Sequence, residues 1–334
     1  MRAPLVVLSL GVALLVAAPA SAKSVVLRGT AYEFNKVEVK LGGAQVRVAE
    51  DPTLGATVGK DGSYALKVPD GKKVTPYINA AGHHSIYLQT FTTDGQDLEN
   101  VNFQVPSDAV YGALAVLMSV PLDAAGNPAQ CAIVSTFSTR NVRGVPFDAF
   151  TGYGAHGVAG ATATASPALP GAVYFNKDVI PDRAQPKSSK DGGVIWPVVA
   201  TGTYTITAHH PSARFASFVA TCAPGRIVNA NPPWGLHQLG KANPTKLTLD
   251  GMTLRATGLP KGSTIALGSR TLSKASTTPA KTLRLPASAR RPFTITATAP
   301  AYDGVALRVA AGGKATRLCV PLGETRPRAS CRGR

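Results

Sequence analysis

The fold is decided most clearly by residues 61–69, DGSYALKVP. An Asp-Gly dipeptide favours a tight turn, because glycine accepts positive φ and the aspartate side chain bonds nearby backbone. Tyr64, Leu66 and Val68 then recur at every second position, which is the pattern of a strand with one buried face. The stretch therefore predicts a turn followed by an antiparallel strand.

The same period-two pattern extends on both sides of this stretch. Val46 and Val48 alternate with polar residues before it, and the run 101–105 (VNFQV) alternates after it. Short alternating runs separated by turn residues are typical of a β-sandwich. Residues 23–107, the first segment, are predicted to form one such sandwich.

A weaker copy of this pattern follows. Residues 190–192 (KDG) again precede alternating apolar residues, and residues 160–165 (GATATA) match residues 43–48 (GAQVRV). The copy carries a proline-containing insertion at 166–189. A diverged repeat of one supersecondary unit is the economical interpretation, so residues 131–240, the second segment, are predicted to form a second sandwich.

The remaining parts are a linker and a third unit. Residues 109–120 (AVYGALAVLMSV) are almost continuously apolar and predict either a short helix or a buried strand within a linker at 108–130. Residues 244–334, the third segment, are predicted to form a smaller immunoglobulin-like β domain with a basic tail. Its predicted strands lie at 264–267, 283–285, 293–298 and 305–309.

The first segment resembles the carboxypeptidase regulatory-like domain, a transthyretin-like sandwich. The resemblance is carried by residues 43–48, 61–69 and 74–81, and more loosely by the second segment. It implies an all-β chain of two tandem sandwiches of this type followed by the immunoglobulin-like domain. It also implies an exported domain that supports or binds, although a fold does not fix a function.

The N-terminus predicts export. Arg2, an apolar stretch from Leu5 to Ala18 and the sequence Ala20-Ser21-Ala22 are the parts of a signal peptide at 1–22. The apolar stretch is shorter than the roughly 20 residues that span a bilayer. The sequence therefore predicts a secreted or envelope-associated protein without a transmembrane span.

Four cysteines follow the predicted cleavage site. An even number in an oxidising compartment indicates disulfides, and the zinc alternative lacks a close C-x₂-C spacing. Four cysteines allow three pairings. We favour Cys131–Cys222 and Cys319–Cys331, because each pair then stays within one segment.

The net charge of +17 is concentrated in the last segment. Residues 241–334 hold 17 lysines and arginines against 3 acidic residues, whereas residues 23–240 hold 17 against 15. Such a surface attracts anionic lipids or polymers, although a merely solvated basic face is the alternative. Nucleic acid is not predicted, because the chain is exported and this segment has few aromatic residues for base stacking. The candidate anion contacts are Arg284, Arg290, Arg291, Arg308 and Arg317.

Catalytic motifs are not apparent in the sequence. The pairs His83-His84 and His209-His210 are adjacent on predicted strands, so their side chains point to opposite faces and one pair cannot chelate one metal. No H-x-x-E, G-x-S-x-G or S-x-x-K pattern occurs. We predict neither a metal, a cofactor nor an enzymatic activity, with a metal-dependent or hydrolytic enzyme as the outside alternative.

A polysaccharide ligand is the principal alternative. The two tryptophans would suit sugar stacking if exposed, but their contexts favour packing roles. The candidate ligand contacts are Trp196, Trp234, Tyr204 and His209. The sequence thus predicts a secreted, non-catalytic binding or structural protein of the cell envelope that attaches to an anionic surface polymer or lipid, with a carbohydrate-binding module as the alternative.

Overall fold

The structure is a computed structural model that describes residues 23–142, 145–151, 157–230, 232–324 and 326–331. The predicted signal peptide at 1–22 lies outside the described residues. No helix within these ranges is both long and apolar enough to cross a membrane.

The first segment and the linker contain ten strands and one helix. In chain order they are β1 (Ser24–Glu33), β2 (Lys36–Lys40), β3 (Gln45–Val48), β4 (Gly55–Thr57), β5 (Ser63–Pro69), β6 (Lys73–Val74), β7 (Pro76–Asn79), β8 (Ile86–Tyr87), β9 (Phe91–Thr92), β10 (Phe103–Val105) and α1 (Asp108–Met118).

The second segment contains eight strands, a 3₁₀ turn and one short helix among its described residues. They are β11 (Cys131–Thr136), the 3₁₀ turn (Arg140–Val142), α2 (Phe147–Thr151), β12 (Thr162–Ser166), β13 (Val173–Phe175), β14 (Pro181–Asp182), β15 (Gly193–Val199), β16 (Gly202–His209), β17 (Phe218–Cys222) and β18 (Ile227–Ala230).

The third segment contains a further eight strands in its described part. They are β19 (Lys246–Asp250), β20 (Thr253–Thr257), β21 (Ser263–Leu267), β22 (Arg270–Ser276), β23 (Ala280–Arg284), β24 (Phe293–Thr298), β25 (Gly304–Val309) and β26 (Ala315–Val320).

The predicted all-β class is confirmed. Along β5 the buried side chains of Tyr64, Leu66 and Val68 alternate with exposed neighbours, as the period-two pattern requires. Of residues 109–120, for which the sequence left two alternatives, residues 109–118 lie in α1. Its N-terminus is capped by Ser107, whose side chain accepts a hydrogen bond from the Val110 N–H.

The two copies of the repeat share backbone geometry. Gly43 and Gly160 both have φ of +85°, and Gly62 and Gly192 have φ of +84° and +85°. Strand pairing also corresponds, since β1 runs antiparallel to β5 and parallel to β10, and β11 pairs in the same way with β15 and β18. Left-handed backbone explains why glycine occupies these two matched positions in each copy.

A nine-stranded sheet joins the first two segments. Its order is β14-β13-β15-β11-β18-β8-β7-β3-β4, and the join is the parallel pairing of Ile86 with Ile227 and Tyr87 with Val228. β8 of the first sandwich and β18 of the second therefore pair with each other, so neither of these strands presents an unpaired edge to solvent. The two predicted segments thus share one continuous hydrogen-bonded sheet.

Three clusters of buried apolar side chains form the cores. The first fills the space between the sheets of the first segment, and it also takes Tyr111 and Ala115 from α1 and Ile227 from β18. The second surrounds Trp196, and the third lies between β19-β20-β23 and β22-β21-β24-β25-β26. Face-to-face sheet packing is therefore the basis of each unit.

Gly29 is expected to be the residue of β1 least tolerant of a larger side chain. A Cβ at this position would overlap the Val101 carbonyl, which also accepts a hydrogen bond from the Tyr64 hydroxyl. Gly29→Ala should therefore lower the free energy of unfolding by about 1–3 kcal/mol, the usual cost of overpacking. Urea denaturation measures this change.

The matched control is Gly112→Ala in α1. No atom lies within 4 Å of a Cβ built at Gly112. Because alanine loses less conformational entropy than glycine in a helix, this change should stabilise the protein by about 0.5–1 kcal/mol. Equal destabilisation by both changes would contradict the packing account.

Candidate functional site

One end of the third segment gathers four turns, and we call it the distal end. Asp250 pairs with Thr253 across the first turn, and Leu267 pairs with Arg270 across the second. Residues 285–292 form the third turn and end before Phe293, which pairs with Val309. Residues 310–314 form the fourth turn. Antiparallel pairing brings these turns together at the same end of both sheets. The opposite end of the unit contacts the other two segments.

Six exposed cations lie at or next to the distal end. They are Arg270, Arg284, Arg290, Arg291, Arg308 and Lys314. Within the described part of the chain, none of the six side chains has an ion pair or a hydrogen bond. Asp250 is the acidic residue of these turns. Like charges held together without counter-charges create a positive potential that attracts anions.

The acidic residues of the third segment lie mostly at the attached end. Asp303 is 4% exposed, accepts a hydrogen bond from the Leu322 N–H at 3.1 Å and lies 3.5 Å from the Arg214 guanidinium. Glu324 pairs with Arg328 at 2.7 Å, and Arg328 also reaches Asp94 at 3.2 Å. Both acidic residues are therefore engaged at the attached end and lie away from the distal cations.

Burial raises the pKa of Asp303, an effect that the hydrogen bond from Leu322 and the charge of Arg214 only partly offset. The folded state then holds this proton more tightly than the unfolded state, so the carboxyl's contribution to stability falls as pH rises above about 4. Asp303→Asn should equal the wild type in thermal stability at low pH and exceed it increasingly toward neutral pH.

Thermal unfolding at several pH values measures this difference. The control is Asp250→Asn, which removes a carboxylate that is already exposed to water. A variant that becomes less stable than the wild type as pH rises would show instead that the charged Asp303 carboxylate stabilises the fold.

The structure places four of the five predicted arginines at the distal end. The exception is Arg317, which lies opposite Leu307 in the register and whose guanidinium donates to the Thr245 carbonyl at 2.9 Å. It connects β26 to the start of β19 and so stabilises the unit itself. Sequence reasoning missed Arg270 and Lys314, although Gly268 and Gly313 were turn signals beside them.

Two disulfides stabilise the last two segments. Cys131 of β11 is bonded to Cys222 of β17, so the bridge connects the two sheets of the second sandwich. Cys319 of β26 is bonded to Cys331, which holds the tail against the third unit. Asp303 lies close to this second bridge, but sulfur atoms that are already in a disulfide are not thiolate ligands for a metal.

The candidate ligand contacts are dispersed. Trp196 is 1% exposed inside the second core, and the half-buried Trp234 donates from its indole N–H to the Glu99 carbonyl at 3.1 Å while packing edge-on against Phe91. The Tyr204 hydroxyl donates to the Ala200 carbonyl at 3.1 Å. His209 is exposed, with Nε2 2.8 Å from the Thr164 hydroxyl. The structure does not gather these four residues into one site.

The adjacent histidines serve local structure. His210 Nδ1 accepts hydrogen bonds from the backbone N–H groups of Ser212 and Ala213, and its Nε2 lies 3.2 Å from the Ala159 carbonyl. The two ring nitrogens of His84 lie 3.0 Å from the Asp108 carboxylate and 2.9 Å from the Gly126 carbonyl. These contacts engage both ring nitrogens of His84 and of His210.

Comparison with known proteins identifies no family. No family model matches the chain, and no curated protein matches it. The similarity of residues 23–107 to the carboxypeptidase regulatory-like domain therefore stays a resemblance.

Solved structures give distant likenesses. The TIE protein of Bacillus anthracis is 13% identical with a TM-score of 0.19, and the match covers 91% of this chain and 51% of that one. A streptococcal ancillary pilin is 12% identical with a TM-score of 0.20, covering 86% and 96%. Two B repeat units of the collagen binding protein of Staphylococcus aureus are 9% identical with a TM-score of 0.18, covering 84% and 69%. This chain thus spans about half the length of the TIE protein, and likenesses at these scores carry no functional argument.

Proposed function

We propose that this chain is a non-catalytic binding or structural protein of the cell envelope, and that its distal end attaches it to an anionic polymer or lipid surface. The observation that carries the proposal is the group of six exposed cations at one end of the third unit, none of which has a partner among the described residues. The disulfides and the predicted signal peptide support a location outside the cytoplasm.

The distribution of charge supports attachment by this end. Asp303 and Glu324 are engaged at the attached end, so they lie away from the six cations. A lysine or arginine near an anionic membrane contributes about 1 kcal/mol. Six such residues would supply about 6 kcal/mol, which corresponds to a dissociation constant in the tens of micromolar.

The test is sedimentation of the mature protein with vesicles. We expect retention on vesicles that contain phosphatidylglycerol and none on pure phosphatidylcholine. Retention should fall as sodium chloride is raised from about 10 to 150 mM, because the screening length shortens from about 30 to 8 Å. Equal binding to neutral vesicles, or binding that salt does not weaken, would exclude electrostatic attachment.

The carbohydrate-binding alternative stays a prediction. Neither Trp196 in its core nor Trp234 against Phe91 supports it. An affinity gel containing a neutral polysaccharide separates the two functions. A carbohydrate-binding protein should be retarded in this gel, whereas a protein that attaches only to anionic surfaces should not.

A further inference from the structure

A groove lies between the first two segments, away from the distal end, and we call it the intersegment groove. It encloses about 290 Å³ between the β1–β2 hairpin, α1 and the outer face of the nine-stranded sheet, a volume close to the lower end for ligand pockets. Its walls are mainly apolar. Among the lining side chains are Phe34, Leu114, Met118, Val134, Phe175 and Ile195.

Exposed apolar side chains occur on the elements that border the groove. Leu117 of α1 is 51% exposed, and Val179 and Ile180 in the β13–β14 turn are 37% and 47% exposed. Val179 also has φ of +65°, an unusual conformation for a β-branched residue. An apolar cleft with exposed apolar residues beside it marks a binding surface more often than a solvated face.

Among the residues that the structure describes, Asp191 is the one charged residue that lines the groove. No lysine, arginine or histidine is among the described lining residues, although the chain carries a net charge of +17. Its Oδ2 accepts a hydrogen bond from the Gly193 N–H at 3.0 Å, and no cation pairs with it in the described part of the chain. Burial raises the pKa of this carboxyl group. An unpaired, partly desolvated carboxylate is complementary to a cationic group.

The repeat shows that the turn itself does not require burial of this carboxylate. Asp61 is the equivalent residue of the first copy, and its Oδ1 accepts a hydrogen bond from the Ser63 N–H at 3.0 Å. Asp61 is nevertheless exposed, and the pKa of its carboxyl group is lowered by its bonds to Ser63. In the second copy, Asp191 thus accepts the equivalent turn hydrogen bond while its carboxyl group lies in an apolar groove.

Gly193 and Tyr111 shape the two sides of the groove. A Cβ at Gly193 would overlap the Phe175 ring, so glycine lets that ring lie beside the Asp191 carboxyl. The Tyr111 hydroxyl belongs to a side chain that is 7% exposed, and it has no hydrogen-bond partner among the described residues. A hydroxyl without a hydrogen-bond partner is unusual in a packed core, and this one belongs to a residue that lines the groove.

We propose that the intersegment groove binds an apolar ligand bearing a protonated amine, with its hydrocarbon body between α1 and the sheet and its amine against Asp191. The amine supplies a counter-charge that Asp191 does not find among the described residues, and the apolar walls cover the hydrocarbon body. This proposal does not depend on the function of the distal end.

The test is isothermal calorimetry of the mature protein with octylamine, octanol and octanoate. Octylamine should bind most tightly and octanoate least. Asp191→Asn should weaken octylamine binding by about tenfold or more, the usual loss of a hydrogen bond to a charged group, and leave octanol binding unchanged. Asparagine retains the oxygen that accepts from Gly193, so the turn is conserved.

Two further variants control the experiment. Asp182→Asn removes a carboxylate that accepts from the Ala184 N–H in a similar turn but does not line the groove, and it should bind octylamine like the wild type. Val134→Trp should fill the groove and abolish binding of both octylamine and octanol.

Two outcomes overturn the proposal. One is equal binding of octylamine by the wild type and Asp191→Asn. The other is octylamine binding that survives in Val134→Trp, since the ligand would then lie elsewhere. Thermal unfolding of each variant confirms that a loss of binding is not a loss of fold.

Discussion

Replacing Arg284, Arg290, Arg291 and Arg308 together with glutamine is expected to weaken binding to phosphatidylglycerol vesicles close to a thousandfold at low salt. Each cation near such a surface contributes about 1 kcal/mol, so four contribute about 4 kcal/mol. All four side chains are exposed and have no protein partner in the described chain, so their loss should leave the fold intact. Vesicle sedimentation against protein concentration gives the affinity.

The matched control removes the same number of charges from elsewhere in the third unit. Lys246, Arg255, Lys261 and Lys274 are exposed but lie away from the turns of the distal end. Their replacement by glutamine gives a protein of the same net charge, whose affinity should fall far less. Equal losses in the two variants would mean that net charge, rather than the distal end, governs binding.

Removal of the Cys131–Cys222 bridge is expected to produce the largest loss of stability. The two cysteines are 91 residues apart, and the chain-entropy model assigns about 4–5 kcal/mol to a loop of this length. Both cysteines are buried in the second core, at 1% and 3% exposure, so alanine at both positions also leaves less apolar contact there. Urea denaturation of the double alanine variant measures the change.

The second bridge is the internal comparison for the first. Cys319 and Cys331 are 12 residues apart, for which the same model gives about 3 kcal/mol. Its removal should mainly release the tail. If removing this bridge destabilised the protein more than removing the first, loop closure would not be the dominant contribution.

The sequence was sufficient for strands with one clearly buried face. The predicted strand at 293–298 has the bounds of β24, and the alternation of residues 61–69 is present in β5. β19 and β20 were not among the predicted strands. The apolar residues shift from odd positions in β19 (Leu247, Leu249) to even positions at β20 (Met252, Leu254), because the Asp250-Gly251 turn divides the two strands.

Edge strands and the strand pairing between segments were harder to predict from the sequence than strands with one buried face. β22 and β26 were not predicted, because as outer strands they bury few side chains and lack a clean alternation. The pairing of β8 with β18 is made by backbone hydrogen bonds, and side-chain patterns do not specify which edges meet.

The candidate site was only partly readable for a similar reason. The surplus of positive charge in residues 241–334 is a property of composition, so it could be counted directly. The strand register determines which cations lie at the same end of the unit, and the register is not visible in composition. The sequence prediction therefore included Arg317, which lies away from the distal end, and omitted Arg270 and Lys314. Asp191 was read as a turn residue, because burial of its carboxyl group arises from the packing of two segments.

Chemical modification of arginine, read by mass spectrometry, tests most directly whether the distal end is the attachment surface. We expect phosphatidylglycerol vesicles to protect Arg284, Arg290 and Arg291 of the unmodified mature protein, and phosphatidylcholine vesicles to protect none of them. Arg28 and Arg183, in the first two segments, should react equally with and without vesicles. Protection of Arg28 or Arg183 in place of the distal arginines would contradict the account.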